Sequence, residues 1–141
     1  MKVFRRSTVA MVVGLFAVGG VVTNPTAAQA DFSNCPDESG YLCFWTDTAF
    51  QGPMGKLSGS NVNWDVFNQA QCFGATWEDC ASSIRNEGLN CEAVVWRDRG
   101  HSSGPSWVIN RDTSAADLTQ WSMQPGLSWN NQISSNSWWC G

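Results

Sequence analysis

The chain repeats itself. "CFWTDTAFQG" (Cys43 to Gly52) aligns with "VVWRDRGHSSG" (Val94 to Gly104), placing Trp45 on Trp96, Asp47 on Asp98 and Phe50 on His101 at an offset of 51 residues. One residue is inserted before Gly104. Further on, "WEDCASS" (Trp77 to Ser83) aligns with "WNNQISS" (Trp129 to Ser135) at an offset of 52. That second block pairs Trp77 with Trp129, Asp79 with Asn131, Ser82 with Ser134 and Ser83 with Ser135. Two offsets agreeing to within one residue identify a tandem duplication.

Each copy reads as β structure. "GYLCFW", "CEAVVW", "SWVIN" and "SSIRN" are short runs bounded by Gly, Asn, Asp or Ser, the first three rich in β-branched, aromatic or cysteine residues. No stretch holds a helical period for long, although "NWDVFNQ" and "AADLTQW" can each form one helical turn. The aromatic-x₄-aromatic-x-Gly spacing after the first strand predicts a tight, folded-over hairpin. In it the glycine takes a positive φ and the two rings pack together. Four short strands per copy, in two copies, predict an all-β sandwich of two antiparallel Greek-key sheets.

The first thirty residues read as a leader rather than as part of that sandwich. "MKVFRR" is a basic start, "TVAMVVGLFAVGGVV" an apolar stretch and "AQA" (Ala28 to Ala30) a small-x-small cleavage site. The apolar run is short for a membrane span and is interrupted by glycines. A secreted, extracellular chain beginning at Asp31 is expected, forming one domain over 31–141 with Greek keys at about 39–87 and 90–140. Losing Lys2, Arg5 and Arg6 leaves five basic against twelve acidic residues, a formal charge of −7. That balance offers no basic stripe for nucleic acid, and nothing after the leader is apolar enough to enter a membrane. A monomer is expected.

All six cysteines (Cys35, Cys43, Cys72, Cys80, Cys91, Cys140) follow the leader, and an even count in an exported small domain reads as three disulfides. Sequence leaves fifteen pairings open. The one carried forward is Cys35–Cys43, Cys72–Cys80 and Cys91–Cys140. Chain-entropy arguments give about 2–3 kcal/mol for each short loop and about 4 for the long one. Zinc is disfavoured, since there is no C-x-x-C and His101 is the only histidine.

Nine tryptophans are spread along the domain. They supply core area where aliphatic content is modest, with a sugar-stacking platform as the rival use. Nothing nominates a catalytic centre. His101 falls on the hairpin aromatic position inside "RDRGHSSG", and its serine neighbours have loop composition. The cysteines are expected to be oxidised, and no local pattern selects a carboxylate pair. The chain reads as a non-enzyme.

With Trp45-x₄-Phe50-x-Gly52, "EDCASS" and "NNQISS" in view, the chain resembles the βγ-crystallin Greek-key domain over essentially all of its mature length. Calcium-binding members carry Asn/Asp-Asn/Asp-x-x-Ser/Thr-Ser in each key, and two such stretches cross to form paired sites. "NNQISS" matches in full; "EDCASS" departs only where Glu78 replaces Asp or Asn. The resemblance implies two structural calcium sites. Their ligands would be the side chains of Asp79 and Asn131, the carbonyls of Cys80 and Gln132, and the hydroxyls of Ser82 and Ser134. Glu78, Asn130, Asp47 and Asp98 are weaker candidates, the last two reaching from the opposite copy. The chemistry suits calcium, a hard cation taking six to eight oxygens, and so few charges imply roughly 10⁻⁴–10⁻³ M affinity. Asn, Asp and Ser also simply favour turns, and Ser83 and Ser135 are expected to brace theirs through backbone hydrogen bonds.

A second resemblance lies in "CPDESGYLCFWTDTAFQG", which is similar to secreted bacterial proteins of peptidase inhibitor family thirty-six. These are metalloproteinase inhibitors on the same fold. The resemblance implies an extracellular protease as partner, met by a pre-organised loop. "NEGLN", "SSGPS" and "SMQPGLS" are candidates for that loop, and sequence does not choose among them. The alternative is a calcium-stabilised module that binds envelope or polysaccharide, or acts as a toxin-like protein, without inhibition.

Overall fold

The computed structural model describes Phe32 and residues 34–101 and 103–141. The expected leader, its cleavage site and Asp31 lie outside the described residues. Nine strands are described: β1 Tyr41–Trp45, β2 Met54–Leu57, β3 Ser83–Glu87, β4 Glu92–Trp96, β5 Ser106–Ile109, β6 Thr113–Ala115, β7 Ser122–Gln124, β8 Leu127–Ser128 and β9 Ser135–Trp139. They form an antiparallel sheet in the order β2-β1-β3-β6, a second in the order β5-β4-β9, and a lone β7-β8 hairpin. The four runs expected as strands are β1, β3, β4 and β5.

The two copies are interlocked. Strand β6 comes from the second copy, yet it pairs with β3 in the first copy's sheet, Ile84 facing Ala115. The reverse exchange is a single antiparallel bridge from Asn61 to Asn136 of β9. The expected fourth strand of the first copy is thus one bridge long. Its run, "SGSNVN", has a glycine and almost no β-branched side chain to favour extended pairing. Side chains of β9 do the holding instead. Buried Asn136 donates to the Gly59 carbonyl at 3.0 Å and accepts from Trp64 Nε1 at 2.9 Å and from Asn61 Nδ2 at 3.2 Å. Such a satisfied buried amide fixes one register, since an unpaired one would cost about 1–3 kcal/mol.

The exchange continues through two matching 3₁₀ turns, Trp64–Val66 and Leu118–Gln120, which are the two expected helical turns. Asn63 and Asp117 cap them identically, each accepting from the backbone N–H two residues on. The Trp64 N–H donates to the Ser134 carbonyl at 2.8 Å, and the Leu118 N–H to the Ser82 carbonyl at 2.9 Å. Trp64 and Leu118 are therefore equivalent, at an offset of 54 that sequence comparison does not find.

Both hairpins fold over as the spacing predicts. Gly52 has φ +74° and Gly104 φ +78°, and a Cβ on either would run into the carboxylate of Asp47 or Asp98. The Trp45 and Phe50 rings meet edge to face at 5.2 Å, and Trp96 and His101 lie 6.2 Å apart. One continuous core draws on both copies: Leu42, Phe44, Trp64, Trp77 and Ile84 from the first, Val95, Leu118, Trp129 and Ile133 from the second.

The tryptophans divide. Trp45, Trp64, Trp77 and Trp129 are core, whereas Trp121 and Trp139 are 43% and 59% exposed. The disulfides are Cys35–Cys43, Cys72–Cys80 and Cys91–Cys140. The first pins the N-terminal segment to β1. Arg85 of β3 holds the same segment through an ion pair to Asp37 and its guanidinium over the Phe32 ring, and is itself paired with buried Glu87 on its own strand.

Candidate functional site

The duplicated stretches meet at the centre of the exchange. Asp79 and Asn131 both adopt left-handed backbone, φ +52° and +55°, which Asp and Asn tolerate better than most residues. That turn sends each N–H across to the other copy. Asp79 donates to the Ile133 carbonyl at 3.1 Å, and Asn131 to the Ala81 carbonyl at 3.0 Å. The side chains cross likewise: the Ser134 hydroxyl donates to Asp79 Oδ1 at 3.1 Å, the Ser82 hydroxyl to Asn131 Oδ1 at 3.3 Å.

A single stretch therefore does not gather its own acid and hydroxyl. Each donor set takes the acid or amide from one copy and the serine from the other. The positive φ at Asp79 and Asn131 is the reason, and residue spacing alone does not reveal it.

Ser83 and Ser135 are fully buried braces. The Ser83 hydroxyl donates to the Asp47 carbonyl at 2.7 Å and accepts from the Phe50 N–H at 3.1 Å. Ser135 donates to the Asp98 carbonyl at 2.7 Å. These bonds tie each hairpin to the stretch that follows it.

The two crossings differ in electrostatics. Around Asp79 lies a cleft of about 270 Å³ lined by Glu78, Asp79, Arg97, Asp98, Arg99, Gln132 and Ser134. Asp98, from the opposite copy, thus lines the same cleft as Asp79. Arg99 forks onto both Glu78 oxygens and also reaches Asp65 at 3.3 Å. Glu78 raises the guanidinium's pKa above its ordinary value, chiefly through that hydrogen bond. Asp79 as a residue is exposed, but protein atoms crowding its carboxyl raise the pKa. The Ser134 hydrogen bond lowers it, Glu78 raises it, and Arg97 and Arg99 lower it again.

Around Asn131 the repeat places Thr46 and Thr48 where the first crossing has Arg97 and Arg99. Asn130 stands where the first has Glu78, and its Oδ1 is buried with no hydrogen-bond partner. Thr46 Oγ1 is in the same state. Cys80 is tied to Cys72, whereas its counterpart Gln132 carries no such staple.

A cation fits these donors unequally. Among the described residues no three His, Cys, Asp or Glu side chains gather as a metal cluster, so any ion would rely on amide, hydroxyl and carbonyl oxygens. The Asn131 crossing offers an acceptor that lacks a donor. At the Asp79 crossing Glu78 is already taken up by Arg99, and Arg97 lines the same cleft.

The loops expected to meet a partner are placed as follows. "SMQPGLS" forms the β7-β8 hairpin, with Gly126 at φ +81°. "NEGLN" starts with buried Asn86 and Glu87 of β3, and its last three residues lead toward β4 and expose Leu89. "SSGPS" leads into β5, with Ser102 outside the described residues. Sequence reading passes over one further loop, Cys72 to Thr76, whose Phe73 is 100% exposed. Its only signal is a large apolar residue beside a cysteine in an uncharged polar run.

Residues 28–109 match the model of peptidase inhibitor family I36. That is more than half of the chain. The protein belongs to peptidase inhibitor family I36. The I36 match takes in the whole first copy and ends at Ile109, so the stretch Trp129–Ser135 lies beyond it. No curated protein sequence matches the chain.

Among solved structures, this family member is similar to a βγ-crystallin domain described under the evolution of the eye-lens fold. That similarity is 23% identity over 75% of this chain and 90% of that one, with a TM-score of 0.55. It is similar to a βγ-crystallin from Ciona intestinalis at 23% identity, covering 70% and 98%, TM-score 0.52. Spherulin 3a from Physarum polycephalum matches at 20% identity, covering 75% and 87%, TM-score 0.50. The βγ-crystallin fold is thereby shown for this I36 chain, and at these identities only the fold.

Proposed function

We propose that the protein is a secreted, non-catalytic inhibitor of extracellular metalloproteases that presents a disulfide-pinned loop to the target's cleft. The single observation carrying this reading is the I36 match over residues 28–109. Three disulfides support an oxidising compartment outside the cell. They also support the mechanism, because a loop ordered before docking loses little freedom on binding.

Calcium is proposed as a structural partner at the two crossings. Asp79, Ser134, the Gln132 carbonyl and Asp98 would hold it at one, with Glu78 beside them. Asn131, Ser82, the Cys80 carbonyl and Asp47 would hold it at the other, with Asn130 beside them. When bound, the ion supplies positive charge where oxygens of both copies converge, so it ties the halves together. At ten times its dissociation constant it would add about 1.4 kcal/mol of stability. The unpaired Asn130 oxygen supports filling of the Asn131 crossing first.

A second reading has its own observation. Trp121 is 43% exposed and leans on Trp107 at 4.8 Å, a flat aromatic surface of the kind that sugar rings stack on. In that case the chain is a calcium-braced envelope- or polysaccharide-binding module.

One titration separates the readings. Purified oxidised protein is added to a panel of secreted metalloproteases, with and without millimolar calcium. The inhibitor reading expects stoichiometric loss of protease activity. Full activity at a large molar excess across the panel, together with retention on a polysaccharide column, would replace it with the second reading.

A further inference from the structure

We propose that the tip of the Cys72–Cys80 loop is the element that grips the partner, with the Phe73 ring entering an apolar specificity pocket in a protease's substrate cleft. This deepens the inhibitor reading and rests on it.

Phe73 is the outlier among the described phenylalanines. Phe44 is core, Phe32, Phe50 and Phe67 are partly buried against it or against Trp45, and Phe73 alone is 100% exposed. Folding gives no reason for that, since the ring contributes nothing to the core. The loop carrying it is nevertheless held firmly. Asn68 bridges Thr76, the Gln69 N–H donates to the Ala75 carbonyl at 2.9 Å, and the Cys72 N–H to the Gln69 carbonyl at 3.1 Å. The Ala75 N–H closes the tip on the Cys72 carbonyl at 3.0 Å. At the base, buried Cys72 and Cys80 join the loop to the Asp79 crossing.

The tip also stands clear of the molecule. A Cβ added at Gly74 would meet nothing within 4 Å. Gly74 and Ala75 take left-handed backbone, φ +75° and +56°, which turns the chain sharply behind the ring. The flanking Ala70, Gln71, Gly74 and Ala75 carry no charge, and none of them covers the fully exposed ring.

A lone aromatic on a rigid projection suits a hole rather than a flat face. Fully desolvated aromatic anchors of this kind concentrate binding energy, and pre-ordering of the loop preserves it. The absence of charge from Asn68 to Thr76 selects a pocket that takes large apolar side chains over one built for Lys or Arg. The exposed side chains elsewhere are less suited: Trp121 is backed by Trp107, and Leu127 lies in the β7-β8 hairpin.

The test compares wild type, Phe73→Ala, Phe73→Leu, Leu89→Ala and Leu127→Ala on a panel of proteases with large apolar pockets, plus one that accepts only basic side chains. Phe73→Ala should raise the inhibition constant about 30-fold or more, a loss of the size expected for an anchor. Phe73→Leu should stay within about fivefold of wild type, a shortfall matching a smaller apolar filler. The two control variants should inhibit as wild type does, all five should share one melting temperature, and the basic-specific protease should be untouched.

Unchanged inhibition by Phe73→Ala, with loss in Leu89→Ala or Leu127→Ala, overturns the inference and leaves the inhibitor reading standing. Failure of wild type to inhibit any protease overturns both. If sedimentation shows a wild-type dimer that Phe73→Ala converts to monomer without change in inhibition, the ring meets a second copy and the inference falls.

Discussion

The Asp79 and Asn131 crossings have the same backbone and opposite chemistry. Both place an acid or amide against the other copy's serine, and both receive an N–H from the other copy. Counting side chains, Glu78, Asp79 and Asp98 face Arg97 and Arg99 at one, while Asp47 is the one charge that the repeat assigns to the other. Each nets one negative charge. The difference is in the partners: at one crossing Arg99 pairs with Glu78, and at the other acceptors are left without donors. Duplication kept the geometry and gave one crossing an internal ion pair that the other lacks.

The braces beneath the crossings provide the strongest way to test this equivalence. Ser83→Ala removes a buried hydroxyl that serves both the Asp47 carbonyl and the Phe50 N–H, and should cost about 2–3 kcal/mol. Ser135→Ala loses its bond to the Asp98 carbonyl and should cost about 1–2 kcal/mol. Denaturant unfolding of both variants checks the order. Equal losses would mean the extra Phe50 bond contributes nothing.

Charge is the next lever. Arg99→Met frees Glu78 and removes a positive charge beside Asp79. Calorimetric titration should then show calcium binding about tenfold tighter at that crossing, with the Asn131 crossing unchanged. An identical isotherm would show that Arg99 does not compete for those oxygens.

The smallest effect concerns pH. Burial holds Asp79's folded pKa above its unfolded value. The folded state therefore binds the extra proton between the two, so stability falls as pH rises from the ordinary carboxylate range through the raised value. Calcium needs the ionised form, so its affinity at this crossing should rise over the same interval. Melting curves across acidic pH for wild type and Asp79→Asn test the sign. The slope should flatten in the variant.

Much of this was legible in the sequence, because a duplicated pattern reports geometry twice. The hairpin glycines, ring pairs, buried serines and 3₁₀ turns follow from residue type and spacing. What stayed hidden depends on the partner copy. Nothing local in "SGSNVN" says that its pairing shrinks to one bridge, or that Asn136 does the holding. Likewise no spacing reveals that Ser134 serves Asp79 and Ser82 serves Asn131. The tryptophans show the same limit, since composition cannot separate core Trp129 from exposed Trp139. Phe73 was missed because an aromatic beside a cysteine reads as core until its surroundings are known.

The exchange itself is open to a double-mutant cycle on calcium-free protein. Asp79→Ala combined with Ser134→Ala should show a coupling of about 0.5–1.5 kcal/mol in unfolding free energy, while Asp79→Ala with Ser82→Ala should be additive. Coupling that followed Ser82 instead, with Ser134 independent, would mean each stretch closes on itself and the halves do not trade side chains.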